Sequence, residues 1–185
     1  MEQTTTVIPL GVFDPDKRTV IYLDVDGVLN SFQSPEVLKK HWPDFEVVSK
    51  ESPERFVSIS MVLSRRLGTA IRAYAETIGA EIVWATSHGS YVDMFDQESG
   101  MTSHMRSIEC YGEEVEPGLI WKMGPVSEDF DDRNVIWVDD ELTEEDAVYL
   151  TRQGISGFLV IPDPFNGITN GDLETLDVVT VTPHD

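Results

Sequence analysis

Four small groups of polar residues hold the chemical potential of this sequence. Asp24 and Asp26 follow the apolar run Val20-Ile21-Tyr22-Leu23, and Gly27 breaks the run ahead of Asn30. Thr86, Ser87 and His88 follow Ile82-Val83-Trp84-Ala85, and Asp139 and Asp140 follow Val135-Ile136-Trp137-Val138. Between these last two groups lies Lys122, the sole lysine after Lys50. In an extended chain Asp24 and Asp26 share a face while Val25 points away. Two carboxylates so close are costly unless a positive charge sits between them or one takes a proton. The pair therefore predicts either a bound divalent cation or an acid held beside a base. Each group also has a plainer explanation. Asp and Gly commonly end strands, a lysine after a tryptophan can lay its stem on apolar surface, and Asp-x-Asp-Gly is a weak pattern alone.

The elements that must position these residues alternate along the chain. Strands are predicted at 20–24, 81–86, 134–139 and 157–161, with a short one at 119–121 leading into Lys122. Ser34-Pro35 starts a short helix that runs to about His41 and is stopped by Pro43. Leu63, Leu67, Ala70, Ile71, Tyr74 and Ile78 recur at helical spacing, predicting a long helix over 60–78 that Gly79 ends. One or two short helices are expected around 91–95 and 101–110. Thr143 caps a helix with Glu144, Glu145 and Asp146 in its first turn, and Thr169 caps a last short one with Asp172 at its third position. Strands alternating with helices predict an α/β, Rossmann-like three-layer fold with a mainly parallel sheet. In such a sheet the strand ends, and with them the polar groups, share one edge.

A chain of 185 residues, 41% hydrophobic and 25% charged, suits a single soluble domain. Residues 1–18 read as a lead-in with one edge strand, and 31–57 as a flap or minimal cap insertion. The 34 acidic residues against 13 basic ones give a net charge of -21, which repels nucleic acid over most of the surface and predicts no stable nucleic-acid partner. The lone Cys110 excludes an intrachain disulfide and fits a reducing, cytoplasmic setting. There is no signal-peptide pattern and no apolar stretch long enough to span a bilayer.

Carboxylates for a hard cation, a hydroxyl and one ammonium together suit phosphoryl transfer. Mg²⁺ takes a few carboxylate oxygens and keeps positions for water and phosphate. Thr86 and Lys122 would hold phosphoryl oxygens as charge shifts, and a carboxylate can serve as nucleophile. Thr86 is preferred over Ser87 because the apolar run leads directly into it.

Taken in order, Asp24-x-Asp26-Gly27-Val28, Thr86, Lys122 and Asp139-Asp140 resemble the four motifs of the haloacid dehalogenase (HAD) superfamily of phosphatases, over about residues 20–161. The wording Trp-Ala-Thr, Trp-Lys and Trp-Val-Asp-Asp-Glu-Leu is similar to the capless or small-cap branch that includes phosphatase domains of RNA-repair proteins, as is Gly167-Ile168-Thr169. His88 departs from that branch, which often carries Trp there. The resemblance implies Asp24 as nucleophile, Asp26 as general acid/base, and Thr86 and Lys122 as phosphoryl ligands. It implies Mg²⁺ on Asp24, the Asp26 carbonyl and Asp139, with Asp140 a ligand or its neighbour. Ser87, Asn30 and His88 complete the expected substrate surroundings. The implied activity is Mg²⁺-dependent phosphomonoester hydrolysis, nucleotidase-like or on a phosphorylated small molecule or nucleic-acid end. Alternatives are a phosphotransferase, an idle acidic binding protein on the same fold, and a receiver-type switch. The last is disfavoured because its phosphorylated Asp lies on a different strand from its acidic pair.

Two further expectations concern the surface. Lys39, Lys40, His41 and Trp42, with Lys50 and Arg55, form a basic, aromatic-bearing patch that could grip a polyanion. Glu113, Glu114, Glu116, Glu128, Asp129, Asp131 and Asp132 read as a solvated acidic face.

Overall fold

The computed structural model describes residues 5–51, 58–102, 104–111 and 115–181. Strands β1 (Thr6–Gly11) and β2 (Thr19–Leu23) precede the one-turn helix α1 (Pro35–Leu38), which starts on its proline. Strands β3 (Glu46–Glu51) and β4 (Ser58–Leu63) form an antiparallel hairpin, the flap, and α2 (Arg65–Thr77) follows it. Then come β5 (Ala80–Thr86), a 3₁₀ turn at Gly89–Phe95, α3 (Asp96–Ser99), β6 (Ser107–Glu109) and α4 (Met123–Ser127). The chain closes with β7 (Asn134–Val138), α5 (Glu144–Arg152), β8 (Ser156–Ile161) and α6 (Asn170–Val181).

Six strands make one sheet in the order β1-β8-β7-β2-β5-β6, all parallel except the edge strand β1. Every residue of β2 and β7 is buried, which is why these segments read as unbroken apolar runs. Alternate side chains feed two cores. Ile21, Leu23, Trp84, Ile136 and Val138 pack with Leu67, Ile71 and Leu176 on one face. Val20, Tyr22, Val83, Val135 and Trp137 pack with Val126, Ala147 and Leu150 on the other. The result is the expected three-layer α/β architecture with a mostly parallel sheet. No described helix is long and apolar enough to cross a membrane.

Three expectations need correction. The helix predicted over 60–78 begins only at Arg65. Ser64 has extended backbone and its hydroxyl accepts from the Leu67 amide at 3.2 Å, so it is the N-cap. Residues 58–63 alternate instead, with Met61 and Leu63 buried and Ser58 and Ser60 exposed, which is a strand's period. Antiparallel pairing with β3 takes these residues out of the helix. The segment 119–121 is a turn and not a strand, because the Ile120 amide donates to Asp146 Oδ1 at 2.8 Å rather than to a neighbouring strand. Within 101–110 there is the edge strand β6 instead of a helix, paired with β5 through Trp84↔Ser107 and Thr86↔Glu109.

Candidate active site

Leu23 lies level with Trp84 of β5 and Val138 of β7, so Asp24 leaves the sheet beside Asp139 and next to Thr86. The Asp24 amide still donates to Val138 O at 3.0 Å, and the Asp139 amide to Val160 O at 3.1 Å. Both carboxylates are therefore held by backbone that is still sheet-like, and both are buried.

Lys122 reaches this pair from outside the sheet. The turn that carries it is anchored by the bond from Ile120 to Asp146, whose other oxygen accepts from the Thr143 amide and hydroxyl in a capping box. Lys122 Nζ lies 2.6 Å from Asp24 Oδ2 and 2.7 Å from Asp139 Oδ2, and the lysine is only 2% exposed. Its ammonium also stands 5.3 Å from the Trp121 ring centre, and Trp121 Nε1 donates to Glu141. Asp140 adds a third carboxylate, with ligand oxygens of Asp24, Asp139 and Asp140 all within 4.8 Å of one another. Gly27 makes room for it. With φ of +69°, a Cβ there would fall 2.2 Å from Asp140 Cγ.

Three carboxylates share one ammonium, so negative charge is left uncompensated at the cluster. Burial, only partly offset by Lys122, raises Asp24. Burial and then the Asp24 charge push Asp139 up to about 7 and Asp140 up to about 6. Burial alone would lower Lys122, but Asp139 and Asp24 outweigh it and raise it. The cluster consists of hard oxygen donors with excess negative charge, and a divalent cation suits it on both counts.

Asp26 stands apart from this group. Its Oδ1 accepts from Asn30 Nδ2 at 2.5 Å, and its Oδ2 lies 2.8 Å from His88 Nε2. Burial acts against its ionised form, but the bonds from His88 and Asn30 prevail and hold it below the usual carboxylate range. His88 is raised, mainly by that same bond. Asn30 in turn accepts from the Val62 amide of β4 at 2.7 Å, tying Asp26 to the flap. Thr86 is buried, within hydrogen-bonding reach of Asp24, and its hydroxyl accepts from the His88 amide at 3.3 Å. Ser87 is exposed.

A model of the HAD domain in Swiss Army Knife RNA repair proteins matches residues 20–173. The chain belongs to this family. As a HAD domain it carries a phosphohydrolase-type fold whose buried Asp cluster could hold Mg²⁺. No curated protein and no solved structure matches the chain.

Several residues near the HAD site escaped sequence reasoning or were misread. The links from Asn30 to Val62 and from Trp121 to Glu141 join residues 32 and 20 positions apart, and nothing in the sequence marks them. The expected basic patch loses its aromatic member. Trp42 is buried, and its Nε1 donates to Ile168 O at 2.9 Å, because the flap segment packs over the loop after β8. Lys50 is paired with Glu98 at 2.8 Å, while Lys39 and Lys40 are exposed and Arg55 lies outside the described residues. The acidic face is likewise less uniform than expected. Asp129 accepts from Arg106, Arg133 and Tyr22, Asp132 pairs with Lys17, and Glu113 and Glu114 lie outside the described residues.

Proposed function

We propose that this HAD domain is a Mg²⁺-dependent phosphomonoester hydrolase acting on a phosphorylated nucleic-acid end. The observation that carries the proposal is a division of labour among the carboxylates. Asp24 is packed with Lys122, Asp139 and Asp140, whereas Asp26, two residues on, is held separately by Asn30 and His88. This separation supports a reading in which Asp24 is the nucleophile and Asp26 serves proton transfer.

A carboxylate oxygen of Asp24 attacks phosphorus, and the ester oxygen departs with the proton shared between Asp26 and the raised His88. Asp26 then takes a proton from water as that water attacks the aspartyl-phosphate, releasing phosphate and restoring Asp24. Lys122 and Thr86 hold the phosphoryl oxygens through both steps. Asp24, Asp139 and Asp140, with the Asp26 carbonyl, would hold Mg²⁺, which when bound neutralises charge on the transferring group. Support for a large substrate comes from the family's description and from the flap, a two-stranded hairpin.

The test is phosphate release from 3′- and 5′-phosphorylated oligonucleotides, nucleotides and sugar phosphates, with Mg²⁺ or with EDTA. Activity is expected with Mg²⁺ alone, none in Asp24→Asn, and a roughly 10²–10⁴-fold loss of kcat in Asp26→Asn with metal binding retained. Full activity in Asp24→Asn, or turnover in EDTA, would overturn the mechanism.

A further inference from the structure

Three aromatic side chains among the described residues are exposed: Phe32 at 55%, Tyr111 at 66% and Phe165 at 49%. All three follow the carboxyl end of a parallel strand, Phe32 after β2, Tyr111 after β6 and Phe165 after β8. They therefore share the edge that carries Asp24, Thr86, Asp139 and Asp140. Sheet order places them more narrowly. Reading β8-β7-β2-β5-β6, the ends carry Phe165, then Asp139 and Asp140, then Asp24, then Thr86, then Tyr111. The acidic cluster is bracketed by aromatic residues over four strand spacings, roughly 19 Å.

On one flank two of these residues are fastened together. The Phe32 amide donates to Pro164 O at 3.0 Å, Ser31 Oγ to Asn166 O at 3.1 Å, and the Ile168 amide to Val28 O at 3.1 Å. These bonds join the loops that bear Phe32 and Phe165. Neither ring belongs to either hydrophobic core, and each leaves about half of its surface open to a ligand.

We infer that Phe32 and Phe165 form a stacking platform for the terminal bases of a single-stranded nucleic acid whose end phosphate lies at Asp24. This rests on the phosphatase reading above and adds to it the means of substrate recognition. Charge limits how such an occupant can be held. A chain of net charge -21 grips a phosphodiester backbone poorly, and the expected basic patch has lost Trp42 to the interior and Lys50 to Glu98. Every base presents a π-face, so stacking supplies affinity that does not depend on backbone charge. Duplex ends keep their bases paired and stacked on one another, which leaves them less to gain here.

The experiment measures fluorescence anisotropy of a labelled, end-phosphorylated single strand binding to Asp24→Asn protein, which cannot turn it over. Phe32→Ala with Phe165→Ala, added to that background, is expected to weaken binding at least about ten-fold. An oligonucleotide abasic at its terminal positions should bind the unaltered platform just as weakly. Affinity should fall only shallowly with salt, with a log–log slope of about -1 or less. Val12→Ser, on an exposed valine after the edge strand β1, serves as the surface control. In the active enzyme the double variant should raise KM for the oligonucleotide about ten-fold more than KM for glycerol phosphate. Unchanged oligonucleotide affinity in the double variant, equal binding of the abasic strand, or a steep salt slope would each overturn the platform. Glycerol phosphate turnover reports on the phosphatase reading separately, and the anisotropy result stands with or without it.

Discussion

Lys122→Met should show how far one ammonium holds the acidic cluster together. The substitution keeps the stem's volume and removes the charge that lies 2.6 Å from Asp24 and 2.7 Å from Asp139. Lys122 is 2% exposed, Asp24 4% and Asp139 0%, so water cannot take over the lost contacts. Removing one partner of a buried pair leaves an uncompensated charge and costs about 3–5 kcal/mol. For a chain of this size that corresponds to a fall in melting temperature of roughly 6–20 °C. The pH dependence has a definite sign. Asp24, Asp139 and Asp140 are already raised, and without Lys122 they rise further. A raised carboxylate contributes stability that is complete below its unfolded pKa and is lost as pH climbs through the folded one. The deficit of Lys122→Met should therefore be larger at about pH 8 than at about pH 5. Mg²⁺ should narrow it by binding the folded form. Thermal melts in EDTA and in Mg²⁺ at both pH values decide the matter. A variant that melts within about 2 °C of the parent at the higher pH in EDTA would refute the account of the cluster.

Gly27→Ala places a Cβ against Asp140 in a left-handed backbone, so it should destabilise the fold and weaken metal affinity together, as read by melting and by Mg²⁺ titration. Unaltered Mg²⁺ affinity would remove Asp140 from the cation site. Asn30→Ala frees the Val62 amide, so hydrogen exchange there should accelerate while kcat falls, and unchanged exchange would break the proposed link between flap and Asp26. Asp129→Asn removes the acceptor shared by Arg106, Arg133 and Tyr22. Burial opposes ionisation of Asp129, but the Arg106 bond and its companions prevail and hold it below the ordinary 3.8. Its stabilisation is present above that value and lost as pH falls, so parent and variant should converge in acid denaturation curves below it.

The parts of this protein that depend on local order are legible in its residues. Val20–Leu23 and Val135–Val138 had to be central strands, because unbroken apolar runs of that length are stable only when covered on both faces. Parallel connection then required Asp24, Thr86, Asp139 and Asp140 to meet at one edge. Caps at Thr143 and Thr169 were legible for the same reason, since each is closed by an acid three residues later. Residues 58–63 were not legible, because Leu63 fits a helical period read forward and a strand period read backward. Pairing with residues 46–51 settles the choice. Tertiary structure alone decided the rest. Lys122 sits on a turn whose direction is set by Asp146, so its arrival between Asp24 and Asp139 is a packing result and not a spacing. Trp42 follows two lysines in a segment that reads as surface, but its indole finds its partner 126 residues away at Ile168. Phe32, Tyr111 and Phe165 carry no mark that separates them from core residues until the sheet order brings their loops to one rim. A sequence records which side chains exist and how neighbours alternate. Which charge lies against which, and which ring is left in water, depends on contacts between distant segments that exist only once the chain has folded.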